Sequence, residues 1–349
     1  MLTGPTLAIL SALLFGASTP LAKLLLGQVD PWLLAGLLYA GAGVGLAVLA
    51  GLRWAGLWRR GAEASIGSAQ AGWLALAILA GGVVAPVLLM LGLARTPATT
   101  AALLLNLEGV FTALLAWFVF GENVDRRIAL GMTAIVAGAL ILSWQGGAIL
   151  EQGLASLAIA GACLAWALDN NFTRKVALSD PIQVALPKGC VAGALNVAIA
   201  TSLGAPWPGP GILAAAGAVG FVGYGVSLVL FVLALRYVGS ARTGAYFSLA
   251  PFFGAVLSTV LLREPISPAL LAAGALMALG VWLHLTEHHE HEHEHGELRH
   301  DHVHVHDEHH QHEHTGRELA GEPHSHPHKH ARLRHAHAHY PDLHHRHPH

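Results

Sequence analysis

Long apolar runs and short polar breaks alternate through the first 285 residues. Ten stretches approach the roughly 20 predominantly apolar residues that a membrane-spanning helix needs. They are Leu7–Leu26, Pro31–Leu52, Gly72–Ala94, Pro97–Phe120, Arg127–Trp144, Leu154–Thr173, Pro181–Leu203, Ile212–Arg236, Ala241–Leu262 and Pro268–Leu285. The pieces between them are mostly short and rich in Gly, Pro or charge, as in GQVD, GENVDRR, LREPIS and GAPWPGP. Closely spaced long apolar runs cannot all be core helices of a water-soluble fold. In lipid they must be helices, because each backbone N–H and C=O needs an internal partner. The pattern therefore predicts an all-α integral membrane protein with ten transmembrane helices. Gly36, Gly41, Gly43, Gly45, Gly81, Gly82, Gly131 and Gly138 lie inside the runs, where they let helices approach closely. The first run lacks a basic leader and is too long for a signal-peptide core, so it reads as a retained span.

Composition divides the chain in two. Only 11% of the 349 residues are charged, against about 25% in a soluble domain. All 25 histidines lie at or after His284. Residues 1–283 carry a net charge of +4 and the remainder −6 with His neutral. This balance excludes a single globular domain and a basic nucleic-acid binder, and two cysteines, Cys163 and Cys190, exclude a disulfide scaffold. With the N-terminus placed in the cytoplasm, nine Lys/Arg fall in inside loops (Arg53, Arg59, Arg60, Arg126, Arg127, Arg174, Lys175, Arg236 and Arg242). Only Arg95 and Arg263 fall outside. The positive-inside rule then puts both termini in the cytoplasm of a multi-pass protein of the inner or plasma membrane.

The chain also repeats itself. At an offset of 142, LNLEGVFTALLAWFVFGE (Leu105–Glu122) lies over FSLAPFFGAVLSTVLLRE (Phe247–Glu264). Leu107/Leu249, Phe111/Phe253, Ala113/Ala255, Leu115/Leu257, Glu122/Glu264 and Gly138/Gly280 coincide. At an offset of 151, FGASTPLAK (Phe15–Lys23) lies over WALDNNFTR (Trp166–Arg174). Two units of five spans insert with opposite orientation, because five is odd, and such inverted repeats place a substrate site near the midplane between halves.

The fourth and ninth runs carry a more specific pattern: a small-residue start (TPATTAALL, GSARTGAYFS), a mid-helix break (Glu108-Gly109, Pro251) and a terminal Gly-Glu or Arg-Glu. A Gly-centred span follows each. Over about residues 5–285 this organisation resembles the ten-helix EamA-type members of the drug/metabolite transporter superfamily. The resemblance implies five-helix repeats over 1–145 and 146–286, with residues 287–349 left as a separate tail. The first half departs from the family pattern by carrying Glu-Gly where Pro is usual. The superfamily handles amino acids, nucleosides, sugars, drugs and other metabolites, so the resemblance does not choose a substrate.

Ionisable groups at membrane depth cost several kcal/mol by insertion scales and are functional candidates by default. Glu108 lies about eleven residues into its run, about 16 Å along a helix and near the middle of the core. Such a carboxyl suits a substrate or proton role, with a protonated glutamate bonded to a neighbouring helix as the structural alternative. Thr112 lies one turn on, and Asn106 and Gly109 are close by. Asp169, Asn170 and Asn171 align with Ser18, Thr19 and Pro20, and polar triplets at equivalent places in two repeats fit a shared cavity, or else helix-to-helix polar contacts. Lys23, aligned with Arg174, is read as a gate or anion contact or as a snorkelling lysine. Lys188 is expected to snorkel, and Glu122 and Glu264 to form interfacial ion pairs with neighbouring arginines. Tyr39, Tyr224 and Tyr246 could line the cavity, as readily as pack in the core. Trp73, Trp117, Trp144, Trp166, Trp207 and Trp282 mostly suit an interfacial belt. The cysteines read as buried small apolar groups. No phosphate-binding loop of the form G-x-x-x-x-G-K-[ST] and no nucleophile-base-acid set occurs, which argues against ATP-driven pumping and against an enzyme.

The tail runs HEHEHEHGELRHDHVHVHDEHHQHEH and later PHSHPHKH, RHAHAH and HHRHPH. Its few apolar residues cannot offset ordering entropy, so disorder is expected. Alternating imidazoles and carboxylates suit Zn, Ni, Co or Cu ions. The candidate ligands are His288, His289, His291, His293, His295, His302, His304, His306, His309, His310, His312 and His314. The mixed composition is unlike a purification tag, and a pH-responsive tail is the alternative. Three functions follow: a secondary exporter of a small organic metabolite or drug; a divalent-metal exporter of Ni, Co or Zn; or a membrane-anchored metal buffer or sensor. The histidine-free body favours the organic substrate, because borderline metals prefer nitrogen and sulfur donors. The lipid bilayer, a small-molecule substrate and divalent metals at the tail are the expected partners, with no required cofactor, and the chain could pair as a homodimer.

Overall fold

The computed structural model describes residues 3–54, 68–120, 126–144, 149–173, 176 and 180–285, with four strands in the tail. Thirteen α-helices lie among these residues. They are α1 (Gly4–Leu26), α2 (Pro31–Trp54), α3 (Ser68–Ala77), α4 (Ala85–Arg95), α5 (Ala98–Leu104), α6 (Leu107–Phe120), α7 (Arg126–Ser143), α8 (Ile149–Thr173), α9 (Pro181–Ser202), α10 (Pro210–Gly220), α11 (Ser227–Phe247), α12 (Ala250–Leu262) and α13 (Pro268–Leu285). Two π-helical turns, Ile78–Val84 and Phe221–Val226, join α3 to α4 and α10 to α11. Eight helices of 18 or more residues are long and apolar enough to cross a bilayer, and Ala250–Leu262 and Pro268–Leu283 add two shorter apolar ones. Each of the ten predicted runs falls on a helix or a broken helix.

The breaks differ from those expected. In the fourth run the helix opens at Leu105-Asn106, ahead of Glu108-Gly109, so Glu108 stands in the first turn of α6. In the ninth run it opens at Ser248-Leu249, and Pro251 sits in the first turn of α12, where its missing N–H costs nothing. No non-helical loop separates the eighth and ninth runs, since α11 stays helical through Phe247. Its Phe231 and Phe247 rings are nevertheless 4.9 Å apart. Sixteen residues of straight helix would hold them about 24 Å apart, so the chain doubles back within helical backbone bonding.

Local starts are set by Asp-Pro pairs. Asp30 Oδ1 accepts from the backbone N–H groups of Trp32 and Leu33, and Asp180 Oδ1 from that of Ile182. Each aspartate precedes a proline at the first helical position, where the fixed φ suits the helix. Arg53, at the far end of α2, pairs with Asp180 at 3.1 Å.

The halves pack reciprocally. α2 lies against α9, and α7 against α13. α1 packs on α11 and α12, while α8 packs on α4 and α6, so the first span of each half is held by the third and fourth spans of the other. The α2–α9 contact is close because glycines face it. A Cβ on Gly43 would lie 2.7 Å from the Cys190 backbone nitrogen, and one on Gly193 2.5 Å from that of Ala40.

In the tail, β1 (Glu290–His295) pairs antiparallel with β4 (Leu333–Ala338), and β2 (Leu298–His304) with β3 (His324–His330). Alternating His and acidic residues fit an extended backbone, yet isolated two-stranded ribbons rich in polar residues are marginal, and their register is weakly specified.

Substitution at Gly43 is expected to separate α2 from α9. Gly43→Leu should destabilise the folded protein by about 1–3 kcal/mol, whereas Gly51→Leu in the same helix, with nothing within 4 Å, should be close to neutral. Unfolding titrations in mixed micelles would compare them, and equal losses would count against this packing.

Candidate functional site

Between the halves lies a cavity of about 100 Å³, room for several waters or a small molecule. Its wall is built from α1, α2, α6, α8, α9 and the Phe221–Val226 turn with α11. A π-helical turn breaks the regular hydrogen-bond ladder and frees backbone groups. In the first such turn, the Gly81 carbonyl accepts from Tyr39 Oη at 2.7 Å and from Trp166 Nε1 at 3.0 Å. One backbone oxygen thus ties α2 and α8 together and fixes two aromatic side chains on the wall. Phe15 stands edge-on to both Trp166 and Tyr224, at 5.8 and 5.7 Å between centroids.

Gly81 also makes room for Asp169: a Cβ there would collide with the Asp169 carboxylate. Asp169 is buried and pairs with Lys188, whose Nζ lies 2.6 and 2.8 Å from its two oxygens. Lys188 Nζ also reaches Thr173 Oγ1 at 3.2 Å, and that hydroxyl donates to Asp169 Oδ1 at 2.8 Å. The ammonium has three hydrogens and three protein acceptors, so it is saturated. Its position near a span end predicts a snorkelling lysine, but Lys188 is instead buried in the wall; the aspartate supplies the partner that water would otherwise provide.

Glu108 enters from α6. Its Oε1 accepts from Asn170 Nδ2 at 2.6 Å, a bond from one half to the other. Among the described residues no cation pairs with it. The break ahead of it is satisfied locally: Asn106 Nδ2 donates to the Leu103 carbonyl at 2.9 Å, and Cys163 Sγ lies 3.7 Å from that of Leu104. Cys163 is thus a weak donor to freed backbone as well as a buried apolar group, while Cys190 is exposed.

The structure brings Glu108, Asp169 and Asn170 together on the wall, with Tyr39 and Tyr224. Ser18 and Thr19 are buried in α1 just behind it. Ser18 lies against Gly223 of the second π-helical turn, as Asp169 lies against Gly81 of the first, and its Oγ donates to the Phe15 carbonyl at 2.6 Å. Asn106 stays in the break, and Tyr246 packs with Leu7 and Ala234, outside the wall. Lys23 is elsewhere. Its Nζ donates to the carbonyls of Leu93 at 2.6 Å and Thr96 at 2.9 Å, completing the C-terminal end of α4. Glu264 is a helix cap instead of an arginine partner, accepting from the N–H groups of Ala98 and Thr99 at 2.7 and 2.8 Å. Trp166, expected in the interfacial belt, is a buried wall residue. Glu122 lies outside the described residues. So do His288, His289, His306, His309, His310, His312 and His314, while His291, His293 and His295 fall in β1 and His302 and His304 in β2. Among the described residues no three His, Cys, Asp or Glu side chains gather as a metal site.

The sequence profile of the EamA-like transporter family matches residues 2–144 and, a second time, residues 153–286. An uncharacterized transporter of Methanothermobacter thermautotrophicus is 30% identical over 289 residues, 79% of this chain and 84% of that protein. A probable 4-amino-4-deoxy-L-arabinose-phosphoundecaprenol flippase subunit ArnE of Pseudomonas fluorescens is 36% identical over 86 residues, 25% of this chain and 75% of that one. A crystal structure with 22% sequence identity covers 82% of this chain and 99% of its own, with a TM-score of 0.60, and so shares the fold. The chain belongs to the EamA-like transporter family and is a multi-span membrane protein.

The wall's ion pair generates its own prediction. Lys188→Met leaves Asp169 unpaired in the membrane and should cost about 3–5 kcal/mol, with Asp169→Asn losing less. Removing both charges together should restore much of the loss. A double-mutant cycle on unfolding free energy would measure this, and additive losses would mean the two groups do not interact.

Proposed function

We propose that this transporter is a secondary active exporter of a small organic metabolite or drug across the cytoplasmic membrane. Substrate binds in the cavity between two inverted five-helix repeats, and both termini lie in the cytoplasm. One observation carries the reading: Glu108, the carboxyl without a cation among the described residues, stands on the cavity wall and is bonded across the two halves by Asn170. A group so placed can exchange its bond to Asn170 for one to substrate or proton. The seam it bridges is also where two repeats would rock to open the cavity to one side and then the other. Glu108 is thus the substrate- or proton-bearing residue, Asn170 its positioning partner, and the Asp169–Lys188 pair a fixed part of the wall. The chain acts as a carrier and performs no covalent step.

The histidine tail is a separate element that binds Zn, Ni, Co or Cu ions at the cytoplasmic face. Its sequence supports this, since alternating imidazoles and carboxylates along the tail offer many nitrogen and oxygen donors within reach of one ion. Metal export through the body is the weaker reading, because the cavity wall carries two carboxylates, one of them held by Lys188, and no histidine.

Two comparisons test the assignment. Glu108→Gln should insert and fold but lose most substrate flux, or its coupling to protons, in proteoliposomes; wild-type coupled flux would remove Glu108 from the mechanism. Deleting residues 287–349 should abolish metal binding by calorimetry and leave organic-substrate flux intact. Metal flux that survives the deletion and depends on Glu108 would favour the metal exporter instead.

A further inference from the structure

The charged donor and most neutral donors around the cavity are engaged inside the protein, the Tyr224 hydroxyl being the exception among the described residues. Lys188 has its three hydrogens on Asp169 and Thr173. Tyr39 Oη and Trp166 Nε1 both donate to the Gly81 carbonyl. Ser227 Oγ donates to the Ser11 carbonyl at 2.9 Å. What stays open is an acceptor: Glu108 uses one oxygen on Asn170, and no described cation neutralises it. Aromatic rings supply much of the rest of the wall, with Phe15 against Trp166, Tyr224 and Phe247, and Tyr39 against Tyr224.

This inventory discriminates between substrate charges. An anion needs a cation to balance it, and the one cation on this wall, Lys188, would have to leave Asp169 with a buried carboxylate unpaired, while the Tyr224 hydroxyl supplies only a neutral donor. A zwitterion meets the same obstacle at its carboxylate. A monocation needs an acceptor and electron-rich ring faces, and both are in place: the Glu108 carboxyl and the aromatic wall. A cation would also complete the charge balance of a wall in which Asp169 is already neutralised.

We propose that the substrate of this cavity is a small organic monocation, an amine with an apolar or aromatic body. The proposal rests on the reading of the cavity as the transport site. Its ammonium donates to Glu108, and its body lies against Phe15, Tyr39 and Trp166.

The test uses the full-length protein in nanodiscs, with three probes of similar size: phenethylamine, its neutral counterpart 2-phenylethanol and the anion 3-phenylpropionate. Binding is read by calorimetry and by quenching of tryptophan fluorescence. Phenethylamine should bind saturably, at least tenfold more tightly than the alcohol, and the carboxylate should not bind. Glu108→Gln should weaken the amine at least tenfold without changing the alcohol, and Glu108→Asp should recover part of the loss, which separates lost charge from lost folding. The cation assignment is overturned if the carboxylate binds as well as the amine, if Glu108→Gln leaves amine affinity unchanged, or if no saturable amine binding occurs. Proteoliposome flux separates this from failure of the transport reading: Glu108-dependent flux of phenylpropionate would overturn the cation class while the transporter assignment stands. Amine binding without flux of any probe would instead count against transport through this cavity.

Discussion

Hydrocarbon offers no hydrogen bonds, so wherever this chain leaves the regular helical ladder it must bring its own partners. That constraint organises the centre of the molecule. The π-helical turn at Ile78–Val84 frees the Gly81 carbonyl, and Tyr39 and Trp166 converge on it from two other helices. The opening at Leu105-Asn106 frees carbonyls that Asn106 and Cys163 approach. Lys23 and Glu264 attend to the facing ends of α4 and α5. The Gly81 and Leu104 carbonyls thus become ties between helices, and the first of them fixes two side chains of the cavity wall.

Glycine is what lets the ties come close. Gly81 and Gly223 occupy matching places in the two π-helical turns, 142 residues apart, and each accepts a residue from the first span of the opposite half. Asp169 fits against Gly81 and Ser18 against Gly223. Asp169 and Ser18 are themselves equivalent at the offset of 151. A side chain at either glycine would push the first span of one half away from the third span of the other, widening the seam that the cavity occupies.

Much of the fold was legible because it depends on one-dimensional quantities: run length, apolar content and loop composition. The ten runs and the repeat come from these. The breaks were misplaced by a few residues, since the proline or glycine that marks a break need not sit in it; Pro251 is accommodated within the first turn of α12. The site was legible only in part. Glu108, Asp169 and Asn170 stand out because polarity at membrane depth is rare. Lys188 and Trp166 were assigned to the interface from their place along a span, and nothing in a linear sequence says which face of a helix meets Asp169 or a free carbonyl. Lys23 and Glu264 show the converse: polar residues aligned between repeats that serve helix ends. The repeated Asp-Pro at residues 30–31 and 180–181 was an available signal for the paired starts of α2 and α9.

What the two halves share and what they do not share separate scaffold from chemistry. The shared positions, Asp30 with Asp180 and Gly81 with Gly223, cap helices or admit close packing. The charged positions of the wall are unshared: Glu108 is aligned with Ala250, Asp169 with Ser18, and Lys188 with Leu38 in the register, offset by 150, that pairs Asp30 with Asp180. A site built from the shared positions alone would be near-symmetric and almost without charge. Placing the ion pair and the unpaired carboxyl in single copies makes the cavity one-sided, so a bound molecule meets Glu108 at one place only.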